Sequence, residues 1–170
     1  MWITLLILGI ILVSDQLTKY LAEILLYEHQ RVELIPHILT TTKVYNKGAA
    51  WSILSDSTWI LVIVSFIASI VLVYFILKND WKKKKCYSIA TSLMLAGTFG
   101  NLIDRFVSVV YPKGREGVVD MIIFEPLDAV WNFITGSGFP IFNIADIALV
   151  VGIVFLAIDI LFYQERRAVK

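Results

Sequence analysis

Two acids stand apart from the other charged residues of this chain. Asp120 lies in Val118-Val119-Asp120-Met121-Ile122 and Asp146 in Phe142-Asn143-Ile144-Ala145-Asp146-Ile147, so each carboxyl is set in apolar sequence. Carboxylates held together at low dielectric cannot both ionise, and they share a proton. The ionised member can take a proton from water while the protonated member polarises a carbonyl, which is the chemistry of peptide hydrolysis. Paired acids also serve proton or cation transport, and the residues alone leave both readings open. Other chemistries are poorly supplied. The two histidines, His29 and His37, lie in a strand-rich stretch with no serine or cysteine placed to use them as a base. No glycine-rich phosphate cradle occurs. A lone cysteine, Cys86, excludes a disulfide framework and a thiolate zinc site, and two scattered histidines make no metal centre.

Polar residues near these acids fall at helical spacings. Gly97, Asn101 and Arg105 are each four apart and form one stripe, in which the glycine permits close backbone approach. Asn143 and Asp146, three apart, share a helix face. Asp15 and Lys19 have the acid-first spacing of an ordinary helical ion pair, and a structural role stands beside a functional one. Asp104, next to Arg105, is expected to form a local surface pair, and Asp159 to reach the membrane interface. Met94 reads as packing.

The elements that must position these side chains are membrane spans. The chain is 58% apolar and 17% charged, with a mean hydropathy of +0.78. Soluble domains are about 45–50% apolar and about 25% charged. A disordered chain, a nucleic-acid binder and a water-soluble enzyme are thereby excluded. Four stretches have the length and apolarity to span a bilayer, at about 2–26, 59–77, 87–106 and 142–163. An ionisable group at the bilayer centre costs about 2.5–3.5 kcal/mol, yet here such groups gather towards one membrane face. Lys78 and Lys82 to Lys85 crowd one short link, and Arg166, Arg167 and Lys170 crowd the tail, which places link, tail and both termini in the cytoplasm. The long connections, 27–58 and 107–141, then lie outside. The first reads as strand, with Val32, Leu34, Ile38, Thr40 to Thr42, Val44 and Tyr45 before the turn Asn46-Lys47-Gly48, and with Ala49, Ala50, Trp51 and Ile53 as a further apolar ribbon. In the second, Leu127, Val130, Trp131 and Ile134 fit a short amphipathic helix, with Pro126 in its first turn and Gly136 and Gly138 at its end. The expected fold is an all-α membrane bundle of four transmembrane helices forming a single domain over 1–170, with a small extracytoplasmic β-sheet and a short interfacial helix. A small proton-coupled transporter would need a polar path through the bilayer. The second span carries no charge and the inner half is expected to be apolar apart from Asp159, so a dead-end hydrolytic pocket suits the pattern better.

Five blocks, in order, resemble the signal peptidase II family, the lipoprotein signal peptidases of bacteria. They are Asp15-Gln16-Leu17-Thr18-Lys19, Asn46-Lys47-Gly48-Ala49-Ala50-Trp51, Gly97 through Arg105, Val118-Val119-Asp120, and Phe142-Asn143-Ile144-Ala145-Asp146. The resemblance implies an intramembrane aspartic protease that removes the signal peptide of a diacylglyceryl-modified prolipoprotein, cutting before the lipidated cysteine. It implies Asp120 and Asp146 as the catalytic pair, and Asn101, Arg105 and Asn143 as groups that orient the pair and bind substrate backbone. Asn46 falls in the block that overlies the site, Asp15 and Lys19 fall in a block of structural character, and Gly97 is a structural position in the block that holds Asn101 and Arg105. The resemblance also implies no metal or organic cofactor, and a monomer contacting lipidated substrate and membrane lipids, with no nucleic acid, is the expected state. Three features depart from the family pattern: Ala96 where a second glycine is common, Met121 where an aromatic is common, and a longer stretch between Asp120 and Asp146.

Overall fold

The structure, a computed structural model, describes residues 2–48, 58–112 and 116–164. Five α-helices and three strands occur among them: α1 (Trp2–Leu25), β1 (Val32–Ile35), β2 (Leu39–Asn46), α2 (Thr58–Lys78), α3 (Lys85–Val110), β3 (Val118–Phe124), α4 (Glu125–Thr135) and α5 (Ile144–Ile158), the last continued by a π-helical segment, Asp159–Gln164. Four helical stretches, α1, α2, α3 and Ile144–Tyr163, are long and apolar enough to cross a membrane. The third runs past its expected end at 106, so Asp104 and Arg105 sit inside a helix and not at its terminus. The ribbon at Ala49, Ala50, Trp51 and Ile53 and the basic tail residues Arg166, Arg167 and Lys170 lie outside the described residues.

The sheet corrects one expectation. Its order is β1-β2-β3, antiparallel throughout, and its third strand comes from the connection expected to be a loop. Val118, Val119, Ile122 and Ile123 have the branching that suits a strand. However, β3 is buried along most of its length, so its sequence is an apolar run broken only by Asp120, without the alternation that reveals a half-exposed strand. Asp120 is therefore held in a ladder, opposite Val44.

The chain forms two compact units, to both of which α1, α2 and α3 contribute. One lies within Met1–Ser14, Ile63–Leu102 and Ile144–Lys170. Small residues pack it: Ala90, Ala96, Ala145 and Ala148 are buried. A Cβ on Gly97 would lie 2.3 Å from the Ala145 carbonyl, and one on Gly152 would lie 2.7 Å from Met94 Cγ, so both glycines set close contacts of α3 with α5. Buried hydroxyls are spread through this unit: those of Ser69, Thr91 and Ser92 donate to carbonyls one turn earlier in their own helices, and that of Ser88 to the carbonyl of Lys84, just before α3. Asp159, expected at the interface, is 3% exposed.

The other unit lies within Asp15–Val62 and Ile103–Asn143. Ala22, Val119 and Met121 form its core, with Leu26, Tyr45 and Ile122 against them. In α4, Pro126 stands in the first turn, Glu125 and Asp128 complement the positive helix end, and Gly136 at φ 73 closes the C-terminus by donating to Asn132 O. No residue of α4 is buried. Asp128 Oδ1 accepts the Phe139 N–H at 2.7 Å, and Trp131, Phe139 and Phe142 meet edge to face in sequence. These contacts organise the stretch between Asp120 and Asp146.

Candidate active site

Asp120, 4% exposed, is gripped by two carboxamides. Asn143 Nδ2 donates to its Oδ1 at 2.7 Å and Asn46 Nδ2 to its Oδ2 at 3.1 Å. Each amide is placed by backbone. Asn46 ends β2 opposite Val118, and its Oδ1 accepts the Gly48 N–H at 3.1 Å. Next to Val118, Gly117 has φ +140, and a Cβ there would come within 2.4 Å of the Asn46 carbonyl. Phe142 makes an isolated bridge to Ile122, accepting from the Met121 and Ile122 N–H groups and donating to the Ile122 carbonyl, which delivers Asn143 to the Asp120 carboxylate.

Asp146 stands in the first turn of α5. Asn101 Nδ2 donates to its Oδ1 at 2.8 Å, one helical turn beyond the glycine that lets α3 approach α5. The Gly97–Asn101 part of the stripe thus combines clearance with a donor. Arg105, further along it, reaches the Gly48 carbonyl through Nη2 at 3.4 Å. Beside that turn, Lys47 Nζ meets Glu116 Oε2 at 2.5 Å, and the carboxylate holds the lysine above its usual titration range.

The largest correction concerns Asp104. It forms no surface pair with Arg105; it is fully buried, with Lys19 Nζ 2.7 Å from its Oδ2. Lys19 also lies 2.8 Å from Asp15 Oδ2, and all three side chains are 0% exposed. Gln16 Nε2 reaches both acids, and Asp104 Oδ2 also accepts the Val119 N–H at 3.4 Å, beside Asp120. The helical ion pair seen in the sequence is thus two-thirds of a buried triad. A lone lysine deep in the first span signals a need for acidic partners; the second acid is 85 residues further on and no spacing rule finds it. Among the described residues no group of three or more His, Cys, Asp or Glu is placed to hold a metal ion.

The carboxylates of Asp120 and Asp146, one on a strand and one opening a helix, are thus each oriented by side-chain amides. The sequence profile of a family described as signal peptidase (SPase) II matches residues 7–162. The chain belongs to the signal peptidase II family. It is similar to the lipoprotein signal peptidase of Staphylococcus aureus (strain bovine RF122 / ET3-1), 35% identical over 158 residues that cover 93% of this chain and 87% of that one. The protein of that name from strain JH9 matches to the same extent, 35% over 158 residues. Two solved structures of bacterial membrane enzymes share the fold. One has a TM-score of 0.79 at 35% identity over 95% of this chain and 88% of the other. The second has a TM-score of 0.76 at 34% identity over 96% of both. As a signal peptidase II the chain is a protease, and its family and helices make it a multi-pass bacterial membrane protein.

Proposed function

We propose that this signal peptidase II is an aspartic endopeptidase in which Asp120 and Asp146 are the catalytic carboxyls. Its substrates in this reading are prolipoproteins already carrying a diacylglyceryl group, cut before the lipidated cysteine. The observation that carries the proposal is the pairing of each acid with carboxamide donors, Asn46 and Asn143 on Asp120 and Asn101 on Asp146. Carboxamides fix a carboxylate's plane without neutralising it, which suits a group that must gain and lose a proton. One ionised acid takes a proton from water as the oxygen attacks the scissile carbonyl. The protonated partner donates to the carbonyl oxygen, and a proton then passes to the leaving amide nitrogen.

The lysine-rich link and both termini are assigned to the cytoplasm, with the sheet and α4 outside and the reaction at the outer face. In this reading α4, whose Val130, Phe133 and Ile134 are exposed, lies in the interface and covers the lipid-modified substrate. The enzyme works as a monomer. A transport role finds no support in the family or the relatives.

The test is incubation of purified protein in lipid with a lipidated prolipoprotein and with its unlipidated precursor. Only the first should be cut, and Asp120→Asn and Asp146→Asn should each accumulate in the membrane without cutting it. Near-normal turnover by either variant would refute the pair.

A further inference from the structure

The short link between α2 and α3 is more fixed in shape than a topology signal requires. Residues 78–85 hold five lysines and one acid, Asp80. Because α2 and α3 are both membrane spans, the link lies at a membrane surface, whichever face that is. The number of basic residues is what sets orientation, and that role needs no particular conformation. Yet the link is pinned on three sides. Trp81 Nε1 donates to Thr4 Oγ1 of α1 at 2.8 Å, and Asn79 Nδ2 donates to the Ser88 hydroxyl of α3. Within the link the Asp80 carbonyl accepts the N–H groups of Lys83 and Lys84, while its Oδ1 accepts that of Lys82 at 2.9 Å.

A cleft of about 330 Å³ opens on this pinned link, near the lower end of the roughly 300–1,000 Å³ of small-molecule sites. Ile76 and Leu77 of α2 line it with Asn79, Asp80 and Trp81. Its surroundings change character in order. Leu77 is exposed, and the exposed Ile70 and Val73 continue its stripe down α2 into the span. The Asp80 side chain, 50% exposed, offers carboxylate oxygens with lone pairs beyond the one that Lys82 N–H uses. Lys83 Nζ stands 3.9 Å from Asp80 Oδ2 with its side chain 82% exposed, which sets an accessible ammonium at the rim. Lys82, Lys84 and Lys85 are exposed beside it, and such a cluster next to a span attracts anionic lipid. A ligand that was only anionic would be repelled by Asp80. One whose phosphate carries a hydroxylated headgroup turns that acid into a hydrogen-bond acceptor.

We infer that the α2–α3 link binds one bilayer phospholipid of the phosphatidylglycerol type, its phosphate on Lys83, its headgroup hydroxyls donating to Asp80 and an acyl chain along the Leu77 stripe. The inference does not depend on which acids are catalytic.

The full-length protein, purified in detergent, is titrated with three dioleoyl lipids, and bound lipid is counted by native mass spectrometry. The lipids are phosphatidylglycerol, phosphatidylmethanol, which has the same charge and no headgroup hydroxyl, and zwitterionic phosphatidylcholine. The first phosphatidylglycerol should bind at least fivefold more tightly than phosphatidylmethanol, and phosphatidylcholine should bind most weakly. Lys83→Gln should weaken phosphatidylglycerol binding several-fold. Asp80→Ala should bring the ratio between the two anionic lipids close to one. Equal affinities of the parent protein for those two lipids overturn the site and leave only a charged surface. Phosphatidylcholine binding as tightly as phosphatidylglycerol overturns the anionic occupant. Unchanged affinity in Lys83→Gln overturns the phosphate contact, and a preference undiminished in Asp80→Ala overturns the hydroxyl contact. The parent comparison and Lys83→Gln, at an exposed side chain, stand even if Asp80→Ala fails to fold.

Discussion

Asn143 and Lys19 illustrate two different uses of a buried polar side chain. Asn143 is fully buried with its Nδ2 2.7 Å from Asp120. Replacing it with leucine keeps the volume roughly constant but releases the carboxylate from its set plane. Misplacement of a reacting group by about 1 Å can cost about 100-fold in rate. Asn143→Leu should therefore lower kcat by about that factor with KM little changed, in a cleavage assay on lipidated prolipoprotein. Lys19 is not positioned for chemistry. Its single ammonium is shared between Asp15 and Asp104, all three side chains being shut off from solvent, so Lys19→Met strands two buried acids. Breaking such a pair costs about 3–5 kcal/mol. Thermal unfolding in detergent should show that loss, and cleavage by the surviving folded fraction should be affected less than in Asn143→Leu. The exposed Lys47–Glu116 pair behaves differently again. Because Glu116 raises the Lys47 titration above its ordinary 10.5, the pair stabilises below that value and fades as pH climbs through the raised one. The small difference in unfolding temperature between the parent and Glu116→Gln should close in that alkaline range.

Among the elements, α3 and α5 depend on glycine in a way that α1 does not. A Cβ at Gly97 would meet a backbone carbonyl at 2.3 Å, which cannot step aside, whereas one at Gly9 meets nothing within 4 Å. Gly97→Ala should cost about 1–3 kcal/mol of stability through overpacking, and Gly9→Ala should cost nothing, as judged by the temperature at which the Cys86 thiol becomes reactive. The helices were legible in the sequence because each announces itself within its own residues, by apolar length and by spacings such as Gly97–Asn101. So was α4, from Pro126, the Leu127–Val130–Trp131–Ile134 pattern and Gly136. β3 was hidden by being buried on both faces, which removes alternation. Asp104 was misread because its true partner, Lys19, sits in another helix, and adjacency to Arg105 is the only relation the linear sequence displays. The amides were legible as residues, but their assignment to particular acids, Asn101 to Asp146 and Asn143 to Asp120, needed tertiary structure.

At the scale of the whole chain, orientation is the claim most open to a direct check. Cys86 follows four consecutive lysines and opens α3, and its thiol bonds to the Phe155 carbonyl. A membrane-impermeant thiol reagent should leave it unmodified in intact cells and label it once the cells are opened. Labelling from outside would put the two acids on the wrong face for an exported substrate. The sheet adds a constraint in time. Asn46 at the end of β2 pairs with Val118, 72 residues further along the chain. At about 5–20 residues per second, β2 waits about 4–14 s after it is made before its partner is synthesised, and Asn143 follows later still. During that interval α2 and α3 must both be threaded into the bilayer, while the β1–β2 hairpin has an open edge and Asn46 has no carboxylate to hold. On the proposed assignment a nascent or truncated chain is therefore inert by construction: it can cut nothing until Asn143 and Asp146 have been made.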